Sequence, residues 1–232
     1  MCHKSCIDFV HRALSKEDIE GKSVLEIGAH DVNGTTRGYI EGLKPSKYLG
    51  IDIAAGKGVD EVCSIYNIVD RYAKASFDVV INTEVMEHIK DWPRAISNIK
   101  QVVRTGGRIL LTTRSYGFAY HGWPYDFWRF EVADIKSFFS DFTIEILESD
   151  WSCPGVFIKA KKPDNFVEKS FSSYPLYSIV SNKSCTAITG LDYFKSIPRL
   201  FPYVFRERRD AVCKAILPTK IKAAVKKLFK LP

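Results

Sequence analysis

No stretch of this 232-residue chain approaches the ~18 consecutive uncharged apolar residues that a membrane-spanning helix requires. The first residues, MCHKSCIDFVHRAL, lack the apolar core and small-residue cleavage site of a secretory signal. A soluble, cytoplasmic protein is therefore expected. Cysteine is sparse and scattered, and Cys2, Cys6, Cys63, Cys153, Cys185 and Cys213 form no CxxC pair. Reduced thiols fit that pattern better than a disulfide framework. Cys2 and Cys6 have His3 and His11 nearby, but a structural zinc needs a second ligand pair at matching spacing. No metal site is expected, and these thiols read as ordinary ones near a mobile terminus. Internal repeats and low-complexity tracts are absent as well.

What is present is ample apolar material, 46% of residues, with 13% aromatic. A chain of this size buries roughly 70% of its unfolded surface on folding. The net charge of +7 is uneven. Residues 206–232 hold nine Lys or Arg against Glu207 and Asp210, and the other 205 residues carry 25 basic and 25 acidic side chains. The body is neutral, so the basic balance says nothing about its substrate.

Residues 23–29 (SVLEIGA), 48–53 (YLGIDI), 77–83 (FDVVINT) and 107–113 (GRILLTT) are short, nearly continuous apolar runs. Such runs suit parallel strands covered on both faces. Helical patterns lie between them, over 34–43 and over 91–104. The second has Asp91 as cap, Pro93 in its first turn, and Ile96, Ile99, Val102 and Val103 on one face. Alternating strand and helix predicts a doubly wound α/β sheet with right-handed crossovers. A further helix is expected over 131–140, then an antiparallel hairpin from 142–149 and 155–161 at the sheet edge. Lys162-Pro163-Asp164 reads as a boundary between a domain over 1–163 and an accessory segment over 164–232.

The stretch Glu26-Ile27-Gly28-Ala29-His30-Asp31-Val32-Asn33-Gly34 follows the first strand and opens a helix. Its glycines allow close backbone approach to a ligand, and a helix start offers free N–H groups. Asp52 ends the second strand, where an acid accepts hydrogen bonds from both hydroxyls of a ribose. The dinucleotide fingerprint G-x-G-x-x-G is absent. Glu26 would repel a pyrophosphate there, but would hold an ammonium group such as that of a methionine moiety.

These motifs resemble the class I S-adenosylmethionine-dependent methyltransferases, and specifically their type 11 branch. VLEIGAHDVNG is similar to that family's first motif and YLGIDI to its second. FDVVINTEVMEHI is similar to the fourth-strand motif, and VVRTGGRILLTT to the turn and fifth strand. The resemblance spans about residues 23–161. It implies a Rossmann-like seven-stranded sheet of order 3-2-1-4-5-7-6 with the last strand antiparallel, followed by a C-terminal, helical extension. It also implies S-adenosylmethionine as cofactor. Glu26, Gly28, Ala29 and Gly34 would then line the methionine and ribose part, Asp52 would bind the ribose, and Ile53 would flank the adenine. Asn82, Thr83 and Glu84 would border the sulfonium. The chain departs from the family in two places. His30 stands where a second glycine is usual, and Cys63-Ser64-Ile65-Tyr66-Asn67 lacks the Asp that often meets the adenine amine, leaving Ser64 or Asn67 to substitute.

Methyl transfer needs an in-line nucleophile and often a base for its proton. His88 in EVMEHI is one candidate, with packing at the helix start as its structural alternative. The stretch from Tyr116 to Phe130 has eight aromatics in 15 residues and follows the fifth strand. Loops at strand carboxyl ends form the binding crevice in such sheets. His121 is the expected base, Asp126 its orienter or substitute, and Tyr120, Trp123, Tyr125 and Arg129 the expected acceptor contacts. About half the aromatics are expected in the core.

Residues 219–231 (TKIKAAVKKLFKL) set apolar residues on one helical face and lysines mostly on the other, the pattern of a helix at an anionic membrane surface. RNA phosphate or the chain's own domain are the competing partners. Signatures of base methylation are missing, since there is no D/N-P-P-Y/F motif and Cys153-Pro154 reverses the Pro-Cys order. The expected reaction is methylation, on oxygen, of a small-molecule or glycan-type acceptor. An RNA methyltransferase anchored by its tail, and a non-catalytic binding module, are the alternatives.

Overall fold

The computed structural model describes residues 3–122 and 125–216, with side chains described as far as residue 206. Four strands form where the four apolar runs lie, and a fifth, of two residues, lies outside them. They are β1 (Ser23–Ile27), β2 (Lys47–Asp52), β3 (Glu61–Val62), β4 (Phe77–Thr83) and β5 (Val103–Arg114). A two-residue strand, β6 (Trp128–Arg129), precedes the hairpin β7 (Thr143–Ser149) and β8 (Gly155–Lys161). The main sheet has the order β3-β2-β1-β4-β5-β8-β7, which is the predicted order once the short β6, outside this sheet, is counted. Strands are parallel through β5, and β8 runs antiparallel to both β5 and β7.

Because side chains alternate across a strand, neighbours in β1, β4 and β5 serve opposite faces. Leu25, Val80 and Leu111 point to one core together with Trp92, Ile96 and Ile99 of α5 (Trp92–Val102). Phe138 of α6 (Val132–Phe138) joins them. The start of α5 is as read from sequence: Asp91 caps it by accepting from Arg94 N at 3.4 Å. Val24, Val79, Ile81 and Leu110 point to the other core.

The N-terminus closes that second core, which corrects the expectation of a mobile end. Helix α1 (Lys4–Ala13) buries Cys6, Phe9 and Val10, with the Phe9 ring stacked on Phe157 of β8 at 4.7 Å. A one-turn helix α2 (Lys16–Ile19) leads into β1. Helices α3 (Arg37–Gly42) and α4 (Ile68–Tyr72) are short, so the expected helix over 34–43 begins three residues late. There Asp31 Oδ1 accepts from Gly34 N at 3.0 Å and holds the preceding loop as a turn.

Beyond residue 163 the chain folds back on the first core, which receives Leu176, Val180 and Ile188. β9 (Leu176–Ser178) bridges β6 and β10 (Lys183–Cys185) in a small antiparallel sheet. α7 (Gly190–Ile216) follows. No helix among the described residues is long and apolar enough to cross a membrane. The expected basic helix over 219–231 lies outside the described residues.

Candidate active site

At the carboxyl ends of β1, β2 and β4 the sheet opens into a cavity of about 880 Å³. The loop after β1 is tied to β2, since Gly28 N and Ala29 N donate to Ile51 O at 2.9 and 3.0 Å. Gly28 sits at φ +85°, and a Cβ there would stand 2.2 Å from Val85 Cγ2. Only glycine allows this approach.

Of the residues read from sequence, Glu26, Gly28, Ala29, Gly34, Asp52, Ile53, Ser64, Thr83, Glu84, His88 and Tyr125 all line the cavity. Glu26 forms its floor. Its Oε1 accepts from Thr36 Oγ1 at 2.8 Å, while Oε2 is buried with no hydrogen-bond partner. Burial raises the Glu26 carboxyl to about 7, against the pull of Thr36 and Arg37. Asp52 ends β2 half-buried and accepts from Ala54 N at 3.0 Å. Ile53 is exposed at the rim. Ser64 Oγ accepts from Tyr66 N at 3.3 Å, capping a turn. Glu84 holds a left-handed φ of +59°, which costs energy in a non-glycine residue. It is buried in an ion pair with Arg114, which also meets Asp150 at 3.2 Å.

Five expected residues lie elsewhere. Asn82 is fully buried and donates to Ile27 O at 3.4 Å, so it joins β4 to β1 rather than facing the cavity. Arg129 is buried, and its five N–H donors are used within the loop. They reach Phe118 O, Ala119 O, Trp128 O and both carboxylate oxygens of Asp126, at 2.6 to 3.2 Å. An arginine so occupied organises the loop and has nothing left for an acceptor. Asp126, also buried, receives those bonds and one from His121 N at 2.7 Å. Burial works to raise its carboxyl, but Arg129 and His121 hold it down to about 2. Tyr120 is buried, as are Phe127, Trp128 and Phe130, whereas Tyr116 and Tyr125 are exposed. Trp123 lies outside the described residues.

His121, the fifth, stands just behind the cavity wall. Its ring meets that of His88 edge-on at 4.8 Å, and its Nδ1 lies 3.1 Å from Asp126 Oδ2. Burial lowers the His121 imidazole but the Asp126 bond and charge outweigh it, so the net shift is upward. Sequence reading missed a third member. Glu87, fully buried, places Oε1 4.0 Å from His88 Nε2 and 3.9 Å from His121 Nε2. Its neighbour His88 was visible in the motif, but nothing in the pattern showed that Glu87 points inward. Tyr193, at the start of α7, also closes the cavity and was not anticipated.

The sequence matches a family described as a methyltransferase domain over residues 2–147, more than half the chain, and the chain belongs to that family. It is a class I S-adenosylmethionine-dependent methyltransferase, with S-adenosylmethionine as cofactor. Solved structures share the fold. One is an S-adenosylmethionine-dependent methyltransferase from Mesorhizobium loti, 16% identical at a TM-score of 0.50, covering 66% of this chain and 96% of its own. Another is the 1,6-didemethyltoxoflavin-N1-methyltransferase of Burkholderia thailandensis, solved with that substrate and S-adenosylhomocysteine. It is 14% identical at 0.53, covering 69% of this chain and 78% of its own. Phosphoethanolamine N-methyltransferase 2 of Haemonchus contortus, solved with S-adenosylmethionine, is 16% identical at 0.51, with 66% and 52% covered. At such identities the likeness bears on fold alone. A search of curated proteins found no match.

Proposed function

We propose that the chain methylates an oxygen of a small-molecule or glycan-type acceptor, bound between the aromatic loop and the donor. The observation that carries this reading is the cavity's polarity. An unpartnered buried carboxylate oxygen of Glu26 and the carboxylate of Asp52 stand toward one side, and the His88, His121 and Glu87 cluster adjoins the other. The donor supplies a methyl group already activated by its sulfonium charge. Glu26 suits the donor's ammonium, Asp52 its ribose and Ile53 its adenine, with Thr83 and Glu84 toward the sulfonium. A cavity of about 880 Å³ falls within the range of small-ligand sites. On the acceptor side, Tyr125 and His88 would meet the nucleophile, and the cluster of Glu87, His88 and His121 would assist the loss of its proton.

Titration calorimetry with S-adenosylmethionine checks the division of roles. Asp52→Ala is expected to weaken donor binding about 10- to 100-fold, equivalent to about 1.4–2.7 kcal/mol. His121→Ala is expected to leave donor affinity within a factor of about two while slowing turnover. Equal loss of donor affinity in both variants would refute the assignment. A folded chain that binds no donor at millimolar concentration would favour the non-catalytic alternative.

The tail reading rests on one further observation. Along α7, Leu191, Phe194, Ile197, Phe201 and Phe205 are all exposed at helical spacing, immediately before the basic residues of 206–232. An apolar row leading into clustered lysines suits an anionic membrane surface better than RNA. Deleting 206–232 is expected to abolish sedimentation with acidic liposomes. Unchanged sedimentation would refute the membrane role, and salt-dependent RNA binding lost with the deletion would favour the RNA alternative.

A further inference from the structure

We infer that Glu87, His88 and His121 form a divalent-metal site at the acceptor end of the cavity, suited to Zn2+ or a similar borderline cation. The argument begins with which ring nitrogens carry protons. His88 Nδ1 lies 2.6 Å from Tyr125 O. A carbonyl oxygen can only accept, so Nδ1 carries a proton, and in the neutral ring Nε2 holds the lone pair. His121 Nδ1 faces two acceptors, Asp126 Oδ2 at 3.1 Å and Ala119 O at 3.3 Å, which assigns its proton in the same way.

Both Nε2 lone pairs then point toward Glu87 Oε1, at 4.0 and 3.9 Å. That oxygen is fully buried and has no hydrogen-bond partner. With both rings neutral, three acceptors converge on one point, and among the described residues no hydrogen bond to Oε1 relieves their repulsion. A cation at that point resolves it. The other carboxylate oxygen, Oε2, accepts from Thr113 Oγ1 at 2.9 Å, which fixes the direction of Oε1.

The outer contacts are those that metal ligands ordinarily need. A ligating imidazole donates its second nitrogen to a carbonyl or carboxylate, and the ligating carboxylate is itself hydrogen-bonded. All three ligands here meet that condition. Ligand bonds of roughly 2.0–2.2 Å in a tetrahedral site put neighbouring ligand atoms roughly 3.4 Å apart. The three candidate atoms lie within 4.8 Å of one another, so rotations of their own side chains suffice. Gly122 makes the approach possible. At φ +69° it passes so close to His88 that a Cβ would stand 3.0 Å from Cε1.

Two histidines and one carboxylate leave a fourth position open, as in catalytic rather than closed structural zinc sites. His88, Gly122 and Tyr125 line the cavity, so that position borders the acceptor space. The site deepens the proposed reaction and rests on it only for this role. A hydroxyl bound there would be acidified by the cation, with its proton passing to solvent.

Equilibrium dialysis of the full chain, stripped of metal and titrated with Zn2+ alone, tests the inference. One ion per chain is expected, with Glu87→Gln and His88→Ala each weakening affinity at least about 100-fold. Cys63→Ser and Cys153→Ser are expected to change nothing. Substitution with Co2+ gives a second readout, a visible absorption band lost in the same two variants. No saturable Zn2+ site, or a site insensitive to both ligand variants yet lost with a cysteine, would overturn the inference. Should Glu87→Gln fail to fold, His88→Asn, on the cavity wall, decides alone. Donor titration on the same samples keeps the two readings apart. Donor binding in a chain that shows no saturable Zn2+ site refutes the metal site alone, and absent donor binding refutes the reaction.

Discussion

Replacing Asp126 with alanine is expected to cost about 3–5 kcal/mol of stability, the range for breaking a buried ion pair on one side. Asp126 and Arg129 are both essentially inaccessible to water, and two hydrogen bonds of 2.6 and 2.8 Å join them. Alanine leaves a guanidinium charge buried with only carbonyl partners. It also removes the acceptor of His121 N, so the loop loses its inner anchor. Arg129→Met is expected to cost a similar amount, because it strands the carboxylate instead. The double replacement should cost less than the two single losses combined, since neither charge is then left alone.

The pH dependence follows with a definite sign. Asp126 is held at about 2 in the folded chain against an ordinary 3.8. A depressed carboxyl stabilises above its unfolded value and loses that contribution as pH falls through the folded one. The parent therefore weakens between about pH 4 and pH 2, and the Asp126→Ala variant lacks this component. Urea denaturation at pH 7 and at the acid end checks both statements. A loss below about 1 kcal/mol at pH 7 would show that the pair is not what holds the loop.

The sheet was legible because its strands are buried on both faces, which forces unbroken runs such as Val79-Val80-Ile81. The glycine-loop side of the cavity was legible for a related reason. Gly28 and Asp52 each sit at the end of such a run, where strand and loop are only a residue apart. Short segments gave no comparable signal. β6 and β9 hold two and three residues, too few for any period to show, and they pair across 47 residues of chain. The aromatic-loop side was less legible, because there side-chain direction decides what each residue meets. Arg129 in an aromatic loop looks like a ligand contact until its partner three residues back is seen to consume it. Glu87 and His121, 34 residues apart, meet only because Gly122 lets the loop press against His88.

Glu26→Gln is expected to change how stability depends on pH, and to do so in favour of the variant. The folded Glu26 carboxyl titrates at about 7, raised by burial from an ordinary 4.5. Between those values the folded chain keeps a proton that the unfolded chain has released. Stability of the unliganded chain therefore falls as pH rises through this window, by about 3 kcal/mol at roughly 1.4 kcal/mol per pH unit. Glutamine cannot ionise and retains the Thr36 hydrogen bond, so its stability curve should lack that slope. At pH 8 the variant should be the more stable protein, and at pH 4 the two should converge.

The same substitution should weaken S-adenosylmethionine binding, because the ammonium loses its counter-charge. In the parent, an ammonium beside Glu26 favours the ionised form, so binding at pH 6 should release a proton. Calorimetry in buffers of different ionisation enthalpy reads this directly, and Glu26→Gln should release none. Equal pH slopes in parent and variant would show that Glu26 is already ionised in the unliganded chain. Stability and binding thus make opposite demands on one oxygen. The unpartnered Oε2 is costly when the cavity holds no cation, and that cost is removed when one arrives. A carboxylate placed only for folding would have been given a second donor.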